Sequence, residues 1–437
     1  MDPFLRVKPP GPKARAVINR DSKVVSQSMI RECQLVLHKA KGVNLWDVDG
    51  NRFLDFTSGV AVMSVGWNNP KVVAAIRNQL RNLTHGAFLD FYSDVPVKLA
   101  EELVRFLPRN LNKVYFSNSG AEAIEAAMKL ARFHTKRKYF ISFYGGFHGR
   151  TYGALSLTSA RVVQRNQFGP FLPVIHVPYP NPYRCPLSVN ANSCDLEVVS
   201  YIEDEIFKRE VSPEEVAAIF VEPIQGEGGY IVPHKGFLKR IRKLCDDHGI
   251  LLVDDEIQAG CYRTGKFLAI ENFGVEPDIV CLSKALGGGL PLGVTVSSSE
   301  IMSWPPGSHA STFGGNTLAC AAALAVLDVM GEKGFGEKVT EKGNYIRKYL
   351  GSLQEKVQMI GDVRGIGLMI GIELVKDRRT KEPATHARDK IVLKAFESGL
   401  VVLPAGESTI RLSPPLIIAR EDIDTGLRIL GKTLEGV

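Results

Sequence analysis

No apolar run in this chain is long enough to cross a membrane. Runs such as Ile250–Val253 and Leu400–Leu403 are strand-sized, whereas a spanning helix needs ~20 residues. The opening MDPFLRVKPPGPKAR puts charge and proline where a secretory leader has an apolar core, so a soluble cytoplasmic protein is expected. No CxxC spacing occurs among the seven cysteines, which excludes zinc-ribbon and thioredoxin-type sites. Only Cys185 and Cys194 lie close together, in YRCPLSVNANSC. Reduced thiols are expected there, as in a cytosol; a loop disulfide is the alternative for a hyperthermophile. There is no HExxH, no Walker loop and no GxSxG elbow, and no two of the nine histidines have metal-ligand spacing. Metal-assisted and serine hydrolysis therefore drop out, and no metal is expected. GIGLMIG at 365–371 misplaces the third glycine of a dinucleotide loop. A basic stripe interleaved with aromatics is also missing, RRTK at 378–381 reading as a solvated loop; no nucleic-acid partner is expected.

What is present is ordinary globular chemistry. The 437 residues are 45% hydrophobic and 23% charged, with 41 glycines and 24 prolines. A length of this kind suggests two or three domains at ~100–200 residues each. The net charge of +7 is mild and suits anionic small molecules.

The stretch to about Arg15 reads as an arm, and NLWDVDGNRFLDF at 44–56 as a hairpin turning at Asp49-Gly50. From Pro70 helical periodicity alternates with short apolar strands: KVYFS, KYFISF, VAAIFVEP, ILLVDD and PDIVCLS. This is the pattern of an α/β fold with a mostly parallel sheet flanked by helices. Its ligands gather at the carboxyl ends of strands, which here carry Asn118-Ser119-Gly120, Gly145–His148, Glu222, Asp255 and Lys284. A helix over TLACAAALAVLDVM leads into an α+β tail. The expected layout is an N-terminal arm and hairpin at 1–60, a large domain at 61–316, and a smaller domain at 317–437 joined by the hairpin.

Lys284, in DIVCLSKALGGGLPLG, follows an apolar strand directly. Asp254 and Asp255 end the preceding one, and a carboxylate there can hold a pyridinium proton, an attraction of ~4 kcal/mol at contact and an effective dielectric near 20. A lysine able to condense with an aldehyde and an aspartate able to hold a ring proton are the two parts a pyridoxal phosphate site needs. FSNSGAEAIEAAMKLAR runs from a strand into a helix whose first turn would attract a phosphate; the same string also reads as a plain N-cap.

Together with LWDVDGNRFLDF, FHGRT, VEPIQGEGG, DDEIQAGCYRTGK, STFGGN and IRLSPP, these motifs resemble the class III aminotransferases, fold-type I pyridoxal phosphate enzymes near the 4-aminobutyrate, ornithine and acetylornithine aminotransferases. The resemblance covers nearly the whole chain. It implies that Lys284 carries the cofactor and moves the substrate proton, with Asp255 on the pyridine nitrogen and Phe147 on the ring face. It implies that Ser119, Gly120 and Ala121 hold the phosphate, and that Gln258 lies near the phenolic oxygen. Thr312 would reach the phosphate of a partner subunit, making a homodimer with sites at its interface; further association is left open. Glu222 would line the reaction face. Arg411 would take an α-carboxylate, Glu227 would mask that arginine when an ω-amine is bound, and Arg150 would hold a distal carboxylate. The implied activity is transfer of an amino group from an amino acid to a keto acid such as 2-oxoglutarate, by ping-pong chemistry.

The chain departs from the family pattern at Trp67, in GWNNP, where a glycine-histidine pair is common, and at Ala259, usually a threonine. Val60, in DFTSGVAV, replaces a tyrosine of the ornithine enzymes and leans towards 4-aminobutyrate or apolar donors. A racemase or epimerase on the same framework is the alternative, and a non-catalytic binding protein the remote one.

Overall fold

The computed structural model describes residues 2–187 and 193–436. Two compact units emerge, one from Met1–Asn69 with Glu337–Val437 and the other Pro70–Gly336. The division therefore falls at 70 and 336, where the sequence suggested 61 and 317. Helix Thr317–Met330 packs along helices Pro70–Leu80 and Asp94–Arg105, burying Ala319, Ala322, Ala323 and Val326, so it belongs to the larger unit. Residues 61–69 are tied instead to the N-terminal hairpin, Gly42 and Trp67 exchanging N–H···O=C bonds of 2.8 and 2.9 Å.

In the smaller unit β1 (Leu37–Lys41), β2 (Asn44–Asp47) and β3 (Arg52–Asp55) run antiparallel. β2 and β3 form the expected hairpin, and Gly50 takes φ +88°, which only glycine adopts without strain. The arm holds a helix, Pro12–Val24, that the sequence reading missed beneath its proline and charge. Proline opens it, and the Asp49 carboxylate accepts the N–H groups of Lys13 and Ala14 at 2.9 and 2.8 Å.

The larger unit is built on β4 (Lys113–Ser117), β5 (Tyr139–Phe143), β6 (Val174–Val177), β7 (Val216–Val221), β8 (Leu251–Asp255), β9 (Ile279–Leu282) and β10 (Gly293–Ser297). Their spatial order is β4-β10-β9-β8-β7-β5-β6. All pairings are parallel except those of β10, which runs against both neighbours. Every residue of β7, β8 and β9 is buried, as a sheet covered on both faces requires. Helix Phe237–His248 buries Phe237, Ile241, Leu244 and Cys245 on one stripe, each side chain contributing about 1.5–3 kcal/mol on burial. It stops at Gly249, φ +60°.

The chain then returns to the smaller unit through β11 (Ile360–Ile366), β12 (Met369–Leu374), β13 (Leu400–Val401), β14 (Leu403–Ala405) and β15 (Thr409–Leu412). β13 adds in parallel to β3, and the others form an antiparallel sheet ordered β11-β12-β15-β14. GIGLMIG is the hairpin between β11 and β12. No helix among the described residues is long and apolar enough to cross a membrane.

One expectation is overturned. Cys185 and Cys194 are joined in a disulfide, with Cα atoms 5.9 Å apart, where reduced thiols were expected. The two cysteines are close enough in sequence and space for the bridge to close a short loop onto helix Cys194–Tyr201. Closing a loop of this size restricts the unfolded chain by about 2–3 kcal/mol. Reduction by dithiothreitol should therefore lower the melting temperature by several degrees, and the double variant Cys185→Ser/Cys194→Ser should match the reduced protein. Identical melting curves with and without reductant would contradict the bridge.

Candidate active site

The carboxyl ends of the parallel strands meet in a cavity of about 410 Å3 in the larger unit. Gly120 and Ala121 enter it from the turn after β4, Phe147 and Arg150 from the loop after β5, and Glu222 from β7. Asp255 and Gln258 reach it from β8 and the turn beyond, and Lys284 from the turn after β9.

Asp254 and Asp255 part company because successive strand residues point to opposite faces. Asp255 faces the cavity. One of its oxygens accepts the Ile257 N–H at 3.1 Å, and the other lies 2.7 Å from His148 Nδ1. Both members of that pair are 3% exposed. Burial disfavours the charged imidazole, but the carboxylates of Asp255 and Glu222 outweigh it and raise the His148 pKa. Asp254 is wholly buried beside Glu256, and burial together with that neighbouring acid raises its pKa well above the carboxylate range. It does not line the cavity.

Glu222 has its two oxygens on backbone donors, the N–H groups of Phe147 and Gly226, both at 2.9 Å. Burial pushes its pKa up to about 7; His148 and the two N–H groups pull it down, and Asp255 pushes it up. Lys284 adopts φ +30°, a rare conformation for a residue with a side chain and of the kind that collects at functional sites. Gln258 accepts the Tyr230 hydroxyl at 3.1 Å.

The turn that leads into helix Gly120–Thr135 is closely packed. A Cβ on Gly120 would meet Ile257 at 2.9 Å, and one on Gly293 would meet the Ser119 carbonyl at 2.1 Å. Ser119 caps helix Gly120–Thr135, its hydroxyl oxygen accepting the Glu122 N–H at 3.2 Å. Glu125 on that helix accepts the Thr151 hydroxyl and the N–H groups of Gly153 and Ala154 at 2.6–3.1 Å. It thus anchors the loop bearing Phe147 and Arg150, whose guanidinium lies 5.5 Å over the Phe147 ring.

Other expected residues lie elsewhere. Ser119 is one residue behind the lining, Thr312 is exposed on the loop before helix Thr317–Met330, and Glu227 is half-buried after β7. Val60 and Arg411 belong to the smaller unit, Arg411 buried on β15 and Val60 half-buried. Ile257, Ser283 and Tyr230 were not foreseen as site residues. His148 was marked only by its place after a strand, with no role, because its partner is 107 positions away.

The model of the family "Aminotransferase class-III" matches residues 25–434. The leucine/methionine racemase of Thermococcus litoralis is 43% identical, over 96% of this chain and 95% of that one. The probable 4-aminobutyrate aminotransferase of Bacillus subtilis is 41% identical, over 90% and 91%. Among solved structures, the taurine:2-oxoglutarate aminotransferase of Bifidobacterium kashiwanohense, in complex with PLP and glutamate, superimposes with a TM-score of 0.90 at 31% identity, covering 97% of this chain and 98% of that one.

Two outcomes follow from the geometry. Asp255→Asn should cut kcat by several orders of magnitude and Asp254→Asn by far less, in parallel steady-state assays; equal losses would contradict the opposed orientations. The plot of kcat/KM against pH should bend at about 7, where Glu222 passes from carboxyl below to carboxylate above. That bend should vanish in Glu222→Gln; its survival would assign it to another group.

Proposed function

The chain belongs to the class III aminotransferase family of fold-type I enzymes, whose cofactor is pyridoxal 5'-phosphate, and we propose that its own site transfers an amino group from an amino acid to 2-oxoglutarate in two half-reactions. The observation that carries the reading is one cavity holding Lys284, Asp255, Phe147 and Arg150 around a glycine cradle. When bound, pyridoxal phosphate supplies an electron sink that weakens bonds at the substrate's Cα.

The remaining work falls to the chain. Asp255, oriented by His148 and the Ile257 N–H, would set a negative charge against the ring nitrogen. Phe147 would cover the ring face. Ser119, Gly120 and Ala121 would offer the first N–H groups of a helix and one hydroxyl to the phosphate, and Gln258 would serve the phenolic oxygen. Lys284 would hold the cofactor in the resting enzyme, and its amine, once freed, would be the base that takes the proton from the substrate's Cα and passes it on. Arg411 would receive the α-carboxylate as a bidentate fork, and Arg150 would hold a distal carboxylate. Val60 bounds the donor's side chain. Thr312 serves the phosphate site of a second copy in a homodimer, and the enzyme works in the cytoplasm.

Racemisation is the second reading. It is favoured by racemases and an epimerase among the relatives and by Glu222, a buried acid with a pKa of about 7 in the cavity of Lys284. There Lys284 takes the Cα proton and Glu222 returns one. Mixing holoenzyme with single amino acids in the absence of keto acid separates the two. Transamination should convert the cofactor to its amine form once per site, with release of keto acid. Loss of optical purity over many turnovers without keto acid would replace transamination by racemisation.

A further inference from the structure

We propose that Tyr230 fixes the side-chain amide of Gln258 so that it presents its NH2 group, rather than its oxygen, to the cofactor's phenolic oxygen. The proposal rests on the reading of Gln258 as the partner of that oxygen.

An amide can meet an anionic oxygen in two ways, and only one is favourable. Its NH2 group donates, whereas its carbonyl oxygen only accepts. Gln258 lines the cavity and is 7% exposed, so the chain around it decides which end is offered. The Tyr230 hydroxyl donates to Gln258 Oε1 at 3.1 Å. With the amide oxygen engaged there, NH2 is the group left for the cofactor. Gly226 closes on the same amide, since a Cβ at that position would stand 2.2 Å from Gln258 Nε2 and 2.7 Å from its Cδ.

Tyr230 is held for this task against its own backbone preference. Its φ is +54°, a left-handed conformation that a bulky residue keeps only where its surroundings over-determine it. Here they do. The Tyr230 N–H donates to the Gly226 carbonyl at 3.3 Å, and Gln225 and Ile231 exchange N–H···O=C bonds of 3.1 and 3.2 Å across the same turn. The tyrosine side chain is wholly buried.

The same turn also serves Glu222, whose carboxylate accepts the Gly226 N–H at 2.9 Å. Its start therefore steadies one cavity residue and its end orients another, all within the larger unit. Tyr230 itself does not line the cavity. It is a positioning residue that acts through Gln258.

The test is the absorbance of holoenzyme as a function of pH, a property that transamination and racemisation share. The cofactor on Lys284 changes its absorbance when it loses the proton held between the linking nitrogen and the phenolic oxygen. A donor to that oxygen stabilises its negative charge and lowers the midpoint. Gln258→Ala should therefore raise the midpoint. Tyr230→Phe keeps the ring and frees the amide to turn; it should raise the midpoint by about one pH unit, the scale of one hydrogen bond to a charged group. Gly226→Ala displaces the amide at the flexible end of its side chain and should give the same rise, which covers the case of a poorly folding tyrosine variant. In the Gln258→Ala background, Tyr230→Phe should add nothing. A midpoint that falls in Tyr230→Phe would mean that the amide oxygen had faced the cofactor. A further rise in the Gln258→Ala background would mean that Tyr230 acts elsewhere. Either result, or a midpoint unmoved in both Tyr230→Phe and Gly226→Ala while Gln258→Ala moves it, would overturn the role of Tyr230 alone. A midpoint unmoved by Gln258→Ala would remove Gln258 from the phenolic oxygen, and the proposal with it.

Discussion

A carboxylate placed at the end of a fully buried strand is the constraint around which the larger unit is arranged. Asp255 would be costly there without partners, since a buried charge must be paired or hydrogen-bonded to persist. His148 and the Ile257 N–H supply those partners, and the burial of β7, β8 and β9 on every residue keeps water from weakening the pair. Glu222 enters the same electrostatic unit, its charge favouring the protonated His148 while its own ionisation is made harder by burial. The loop that brings His148 also brings Phe147 and Arg150, and it is anchored by Glu125 from helix Gly120–Thr135. The buried pair and the loop bearing Phe147 and Arg150 are therefore held by hydrogen bonds from neighbouring elements.

The smaller unit solves a different problem. It holds a left-handed turn at residues 58–61, whose conformation costs roughly 1–2 kcal/mol at each residue bearing a side chain, using the buried carboxylate of Asp55, which receives three donors. In both units a buried aspartate orients other groups. Asp55 shapes backbone, and Asp255 presents charge.

Much of this was legible in the sequence because it depends on local pattern. The hairpin at Asp49-Gly50, the amphipathic stripe of Phe237–His248 and the apolar runs of β7 and β8 follow from periodicity and turn chemistry. So do the residues at the strand ends, since a parallel sheet exposes its ligands there. The misses share a cause in tertiary structure. β6 is only four residues long, and β10 runs against both neighbours, so neither fitted the helix-strand alternation. Helix Pro12–Val24 depends on a cap from Asp49 that no local window contains. The His148–Asp255 pair joins distant segments, and the positive φ of Val60 runs against its own residue preference. The Cys185–Cys194 bridge could be raised from spacing but not decided by it.

The central claim is that the cavity at the strand ends carries pyridoxal phosphate on Lys284. Borohydride reduction of the holoenzyme, followed by peptide mapping by mass spectrometry, tests it most directly. The account predicts a single modified peptide, with the reduced cofactor on Lys284. Attachment to a different lysine, or none in protein that retains the cofactor's absorbance, would contradict it.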